Sequence, residues 1–423
     1  MNILYICQYF PPEMGAPAAR VSELAGHWSK TAHKVTVLTG FPNHPTGMVY
    51  PDYRKKLWQL IYSESVDGVK VIRTWLYPLP NRKSHERILN YSSFFLSSSA
   101  AASIMPRPDV LIATSPQLLV GLSGWWLSLL RSVPFVLEIR DLWPESITAS
   151  GVGGQTSLLA RLLSALSDFL YKRCDHLVVV TPAFKQDIIN KYGIDPEKIS
   201  IVENGVETDT FSPGVDRDKI RDALGLQHKF VVSYIGTLGL AHGLHTVVQA
   251  AERLKDRYPD ALFLLVGEGA DKNALMKTVN ERGLQNVRFV PQQPRQEVPD
   301  LIRASDACLV LLKKAPVFET VIPTKMLEFL SCGRPVILGV DGQAREVLEA
   351  AQGGIAIEPE SSEDLVKAVI SLYHDHDLCE DLGRNGRRYI VENLSRRSTA
   401  ERYIWVLERV VQRKPHHARK RRA

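Results

Sequence analysis

The 423-residue chain has no uninterrupted apolar run of about 18 residues, the length that marks a membrane-spanning helix. No spanning segment is expected. Cysteine is scarce: Cys7, Cys174, Cys308, Cys332 and Cys379 are odd in number, scattered and never spaced as CxxC. Most sit inside apolar runs, which reads as reduced core thiols in a cytoplasmic protein rather than a disulfide framework. No His/Cys/Asp cluster has metal-ligand spacing, and the His416-His417 pair near the end is a weak candidate, so neither metal nor cofactor is expected. A GxGxxG fingerprint is missing, which counts against a nicotinamide-dependent dehydrogenase. Met1 leads straight into Ile3-Leu4-Tyr5-Ile6-Cys7 without the basic region, apolar core and cleavage site of a signal peptide. Charge of one sign is also lacking: 52 Lys and Arg face 46 Asp and Glu, too even a balance to suggest a nucleic-acid partner. The exception is Arg413 to Ala423, RKPHHARKRRA, with six basic residues and no acid. Such a run is either a solvated end or attracted to anionic lipid head groups, at about 1 kcal/mol per basic residue.

What is present is apolar material, 45% of residues against 23% charged, enough for the two domains that this length suggests. Short apolar runs alternate with helical patterns throughout, which marks an α/β protein with mainly parallel sheets. Strands are expected near 2–7, 34–38, 69–73, 109–113, 134–139, 176–181 and 198–203, and again near 229–235, 261–266, 286–290, 306–312, 335–339 and 354–358. The first helix shows the logic: Pro17 stands where a first-turn proline is tolerated, and Val21, Leu24, Ala25 and Trp28 follow at helical spacing. The resulting division is an N-terminal domain over 1–205, a second over 206–376, helices over 377–412 that return to the first domain, and a basic tail over 413–423.

Open parallel sheets bind ligands beyond the carboxyl ends of their strands, so the loops after strands carry the candidate chemistry. Gln8 to Pro17 places Gly15 just before a helix, where backbone N–H groups can face a phosphate; a plain turn glycine is the simpler reading. Arg140, Asp141, Trp143 and Glu145 follow a strand, and suit a sugar or acceptor: Trp stacks, carboxylates accept from hydroxyls, and Asp141 can take a proton. The alternative there is an Arg140–Asp141 or Arg140–Glu145 surface pair. Gly236, Gly239 and Gly243 lie within eight residues between strand and helix, with Thr237 and His242 among them, a setting that suits a diphosphate. His242 offers partial positive charge there or is simply a polar helix-start residue. Gly267-Glu268-Gly269 can let a nucleobase lie against backbone. Pro323 is placed to begin a helix, with Thr324 and Lys325 in its first turn. A lysine there opposes the helix dipole, a mismatch that an anion offsets. Glu328, one turn later, can accept both hydroxyls of a ribose, unless it merely pairs with Lys325 in solvent.

Taken in order, QYFPPEMGAPAAR, VENGVETDTF, YIGTLGLAHGLHTVVQA, FLLVGEGADK, VRFVPQQP and IPTKMLEFLSCGRPVI resemble family 4 glycosyltransferases across nearly the whole chain. Within that family the likeness is to bacterial O-antigen and capsule transferases, including amino-sugar and L-fucosamine transferases. The resemblance implies a GT-B fold, two Rossmann-like domains with parallel sheets facing an interdomain cleft. It also implies donor binding by the second domain, acceptor binding by the first, and transfer with retention of configuration. Glu328 matches the second glutamate of the family's EX7E motif, expected on the donor ribose. The first falls on Thr320, with Glu319 one place off as the candidate to reach the transferred sugar. Thr237 and His242 stand where the family often has Arg and Lys, and Lys325 is expected to supply the charge. Asp141 stands where many relatives present a histidine. The implied partners are a nucleotide-diphosphate sugar, UDP-sugar favoured, and a polyprenyl-diphosphate-linked glycan. Apolar stretches over 91–105 and 118–130, flanked by Arg82, Lys83, Arg87 and Arg131, are either core helices or a contact with an anionic membrane surface, which would make this cytoplasmic protein peripheral on the inner face of the cytoplasmic membrane. Two other classes remain open on sequence: a nucleotide-sugar epimerase of the same fold, and a non-catalytic nucleotide-sugar-binding protein.

Overall fold

The structure, a computed structural model, describes residues 1–44, 46–80, 84–115, 117–143, 158–214 and 217–413. The chain divides into two compact units, one built from Met1–Glu203 together with the chain from Arg396 onward, the other from Asn204–Ser395.

The first unit holds eight strands: β1 (Asn2–Ile6), β2 (Lys34–Gly40), β3 (Ile61–Val66), β4 (Val69–Thr74), β5 (Val110–Thr114), β6 (Phe135–Ile139), β7 (His176–Val179) and β8 (Ile199–Ile201). Their order across the sheet is β3-β4-β2-β1-β5-β6-β7-β8. All pairings are parallel except β3 with β4. That edge hairpin was not expected from the sequence. It turns on Asp67-Gly68, both at positive φ (49° and 79°), the conformation a two-residue hairpin loop needs. Strands β1, β5 and β6 are buried along nearly their whole length, as strands covered by helices on both faces must be.

The helix Ala16–Ser29 carries Pro17 in its first turn and buries Val21, Leu24, Ala25 and Trp28. Trp28 packs edge-on against Tyr403 at 5.3 Å between centroids and donates its indole N–H to the Ala400 carbonyl at 3.1 Å. The final helix, Arg396–Gln412, is therefore part of this unit's core. The helix before it, His376–Asn393, belongs to the second unit, which runs on past residue 376 to Ser395.

Six parallel strands form the second sheet: β9 (Phe230–Ile235), β10 (Ala261–Val266), β11 (Val287–Val290), β12 (Ala307–Leu311), β13 (Val336–Gly339) and β14 (Gly354–Ala356), in the order β11-β10-β9-β12-β13-β14. The reversal of strand order lies between β9 and β12, and loops at such a switch point are where open α/β sheets take ligands. All five cysteines are buried and unpaired.

Candidate active site

In the second sheet β9 and β10 run in register to Ile235 and Val266. The next residues, Gly236 and Gly267, both adopt φ near 146°, a conformation open in practice only to glycine. A β-carbon at Gly267 would stand 1.9 Å from the Gly236 carbonyl oxygen, and one at Gly269 would stand 2.2 Å from that of Leu238. The two glycine loops thus lie backbone to backbone. Leu238 donates its N–H to the Glu268 carbonyl and Asp271 to the Leu238 carbonyl, each at 2.9 Å.

Lys325 enters from the helix Thr324–Ser331. Pro323 is the residue before this helix rather than its first member, so Thr324 and Lys325 fill the first two positions. The lysine stem is partly exposed, but its ammonium turns inward. It lies 2.8 Å from the Tyr234 hydroxyl and 4.0 Å from that ring's centroid. A β-carbon on Gly236 would meet Nζ at 3.0 Å. Tyr234 gives its own proton to the Thr237 carbonyl at 2.8 Å, which orients its oxygen to accept from the lysine. Lys325 makes no ion pair among the described residues. Burial pushes its pKa down to about 7, and Glu328 opposes the shift only in part.

His242 differs from its expected role. Its Nδ1 lies 3.3 Å from the Leu311 carbonyl, a contact that requires the proton on Nδ1. Burial, then the nearby Lys325, depress its pKa to about 4. The ring is neutral at physiological pH and offers no positive charge. Among the described residues, Lys325 is the cation that hydrogen-bonds within this cluster. Thr237 is exposed and takes part here through its carbonyl. Gly239 and Gly243 flank the short turn Leu240–His242, with Gly243 at φ 57°.

Glu328 is 6% exposed and sits one turn after Lys325. The solvated Lys325–Glu328 pair considered from sequence is not formed: the carboxylate pairs with Arg295 at 2.8 Å. Arg295 in turn lies over the Phe211 ring at 4.5 Å. Glu268 is exposed and ion-paired to Lys272 at 2.6 Å. Glu319 ends the short helix Pro316–Glu319 and is exposed, whereas the Thr320 hydroxyl is turned onto the Val317 carbonyl at 2.8 Å. Glu319 lines a small pocket with Lys313, Lys314 and Asp341, apart from the lysine cluster's hydrogen bonds.

In the first unit the ends of β1, β5 and β6 converge on Arg140. Its N–H donates to Ser115 Oγ at 2.7 Å and Nη1 to the Pro17 carbonyl at 3.3 Å. Its Nε is buried without a partner among the described residues. Burial lowers its pKa, partly countered by Glu138. Of the two surface pairs considered from sequence, Arg140–Asp141 is not formed, and Arg140–Glu145 involves a residue outside the described ones. With Gln8, Thr114 and Gln117 it lines a narrow pocket. Burial raises Asp141 to about 6, with Arg140 pulling the other way. Trp143 is half-buried, and its carbonyl accepts from Ser167 at 3.3 Å. Gly15 caps the helix Ala16–Ser29 at φ 137°. Glu145 lies outside the described residues, as do Arg82, Lys83 and the tail beyond Arg413.

Three contributors escaped the sequence reading. Tyr234 reads there as one more strand residue, and Arg295 sits among the prolines and glutamines that follow β11, with no glycine or acid beside it to mark a site. Glu13 is fully enclosed and accepts from the backbone N–H groups of Asn43 and His44 at 2.9 Å and of Phe10 at 3.3 Å. Burial still lifts its pKa to about 7. Its signal is an acid set within the otherwise apolar FPPEMG loop. Among the described residues no His/Cys/Asp/Glu group is arranged to hold a metal.

The two Rossmann-like sheets give the chain the GT-B fold, and the transferase class comes from the sequence: residues 216–389 match the glycosyl transferases group 1 family while residues 15–205 match the glycosyl transferase 4-like domain. Among individual proteins, the chain is 27% identical over 379 residues to WcaI of Escherichia coli K12, named as a colanic acid biosynthesis glycosyl transferase, covering 87% of this chain and 91% of that one. It is 25% identical over 307 residues to the D-inositol 3-phosphate glycosyltransferase of Corynebacterium kroppenstedtii, covering 70% of this chain and 66% of that protein. Among solved structures, Anabaena HepE in complex with UDP-glucose superposes with a TM-score of 0.73 at 18% identity, over 96% of this chain and 99% of the other. Transferase activity takes the place of the epimerase and binding-protein alternatives.

Proposed function

We propose that this enzyme moves a sugar, with retention of configuration, from a nucleotide-diphosphate donor held by the second unit to a lipid-linked glycan held by the first, in the assembly of a cell-surface polysaccharide of the O-antigen or capsule type. The observation that carries the donor half is the Lys325 ammonium, without an ion pair among the described residues and lodged against the Gly236 turn. A buried cation without a counter-ion is costly, and a diphosphate is the ligand that offsets this cost. HepE, of the same fold, is solved with UDP-glucose, which favours a UDP-sugar; the name of WcaI favours a polysaccharide product. The likeness in motifs to amino-sugar transferases favours an N-acetylated amino sugar.

On this reading the bond between the anomeric carbon and the phosphate oxygen breaks through an oxocarbenium-like state, and its electron pair leaves with the diphosphate. Lys325, the N–H groups of the Gly236–Gly243 loop and the first turn of the Thr324–Ser331 helix stabilise that developing charge. The acceptor hydroxyl attacks from the face the diphosphate leaves, and its proton passes to the departing phosphate or to Asp141. Glu328 accepts the ribose hydroxyls once Arg295 yields part of its hold. Replacing Glu328 by Ala is expected to raise the donor KM about 10- to 100-fold, the worth of hydrogen bonds to a charged acceptor. Unchanged donor saturation would remove Glu328 from the site.

Asp141 acts as a base only when ionised. With its pKa near 6, the transfer rate should climb as pH rises through that value and level off above it. Asp141→Asn should flatten this limb and slow the reaction about 100-fold or more; a variant with the wild-type profile shows that the proton goes elsewhere.

No helix among the described residues is long and apolar enough to cross a membrane. The paired helices Ser84–Ile104 and Leu119–Arg131 nevertheless leave Ile88, Leu89, Leu96, Ile104, Trp126 and Leu130 about half or more exposed. Apolar side chains beside Arg87, Arg107 and Arg131 suit a bilayer interface, where a polyprenyl-diphosphate acceptor resides. Co-flotation of the full chain with phosphatidylglycerol vesicles is the expected result, reduced by Leu96→Glu with Trp126→Glu; a protein that stays at the bottom of the gradient rules out this face as an anchor.

A further inference from the structure

A second basic site lies in the first unit, at the edge strand β8. A cavity of about 190 Å³ is lined there by His176, Lys185, Ser200, Trp405, Arg409 and Arg413. None of the residues assigned above to donor or acceptor contributes to it. Three of its side chains are cations, and none of the three forms an ion pair with a carboxylate among the described residues. Lys185 spends one proton on the Ile199 carbonyl at 3.0 Å. Arg409 lies over the Trp405 ring at 4.5 Å, while that ring is 57% exposed. Glu197 is the one acid in the lining among the described residues. At the floor, His176 is buried and its Nε2 is 2.8 Å from Ser200 Oγ, which leaves a neutral hydrogen-bonding pair beneath the cations. The strength of the positive field registers on this imidazole. After burial, the groups that push its pKa down to about 4 are Arg413, Arg409, Lys198 and Lys185.

We propose that this cavity is an anion site that takes a phosphate group, supplied either by a soluble phosphate compound or by an anionic lipid head group. Two guanidinium forks and an ammonium around a small polar hollow match the geometry and charge of phosphate oxygens, and the Ser200–His176 pair adds a donor at its base. The Trp405 ring, exposed at the rim, forms an apolar wall beside the bound group.

The test uses the full chain carrying Lys325→Ala, so that the donor site does not bind the probe. Glycerol 3-phosphate and inorganic pyrophosphate form one arm, and phosphatidylcholine vesicles with and without phosphatidylglycerol form the other. Trp405 emission is the signal, identified by its loss in Trp405→Phe. A saturable change is expected, weakened about tenfold or more by Arg409→Gln with Arg413→Gln, because each removes charge-assisted hydrogen bonds. Both side chains are exposed and neither makes an ion pair among the described residues, so that variant keeps the fold. Response to the soluble probes identifies a phosphate compound as the ligand, and response to phosphatidylglycerol alone identifies the lipid. No response in either arm, or equal affinity in the double variant, overturns the proposal.

Discussion

Replacing Lys325 with Ala should lower turnover by about 100- to 1000-fold, the effect of deleting one group aimed at charge that develops in a transition state, about 2.7–4 kcal/mol. The expectation is this large because, among the described residues, no other cationic side chain hydrogen-bonds beside the Gly236 turn. His242 is neutral, and Thr237 turns its carbonyl inward. Two further signatures separate this role from a structural one. The free lysine's pKa is near 7, and a bound diphosphate raises it. Donor affinity should therefore be constant below pH 7 and weaken up to tenfold per pH unit above it, until the complex's own pKa is reached. The diphosphate diester of a nucleotide sugar has no ionisation in this range, so below the point where the base itself titrates the slope belongs to the enzyme. Stability runs the other way. A lysine depressed in the folded state binds fewer protons than in the unfolded chain, so ligand-free stability rises from about pH 7 towards the ordinary lysine value. Lys325→Met should thus melt at a higher temperature than wild type at pH 6 while losing transfer. A variant that loses both stability and activity would assign the lysine to the scaffold instead.

The second large effect is on the fold. Glu138, on β6, is fully buried and accepts from Arg20 Nε at 3.0 Å, Arg20 Nη2 at 2.9 Å and the Tyr5 hydroxyl at 2.6 Å. Burial pushes the carboxyl up, but the Arg20 and Arg140 guanidinium groups and the Tyr5 hydroxyl outweigh it and hold the pKa below the ordinary value. Arg20 also donates to the Val202 and Glu203 carbonyls at 3.1 and 3.0 Å, which ties the end of the first unit's main segment to its first helix. Glu138→Ala leaves two guanidinium groups buried with less compensation, and should cost about 3–5 kcal/mol, read as a lower urea midpoint with an unchanged slope. The stabilisation by Glu138 is complete above its ordinary carboxylate range and disappears as pH falls through the depressed value. Arg20→Met with Glu138→Leu should recover much of the loss. If the single variant unfolds at the wild-type midpoint, the pair is not a determinant of stability.

The sequence discloses the strands well because parallel strands covered on both sides are continuous apolar runs, and the post-strand rule then leads to Gly236, Lys325 and Asp141. The edge hairpin escaped because β3 is half-exposed along its length and shows no apolar run, although Asp67-Gly68 is a turn signal. Side-chain partners were less legible than positions. The pairing of Glu328 with Arg295 joins residues 33 apart (328 − 295), and the neutrality of His242 depends on burial and on Lys325, 83 residues away (325 − 242). Neither is local in the chain. Lys325 could be placed at a helix start from Pro323 alone, but its inward turn needed Tyr234, which no spacing rule distinguishes from its strand neighbours.

The final helix sets an order of events in synthesis. Tyr403, Leu407 and Val410 are interior residues of a unit whose other members all precede residue 204. The second unit is one unbroken stretch and can complete its core while the ribosome still holds the last helix. The part of the protein that is translated first is therefore finished last, and a chain released short of residue 396 leaves Trp28 with its Tyr403 face bare.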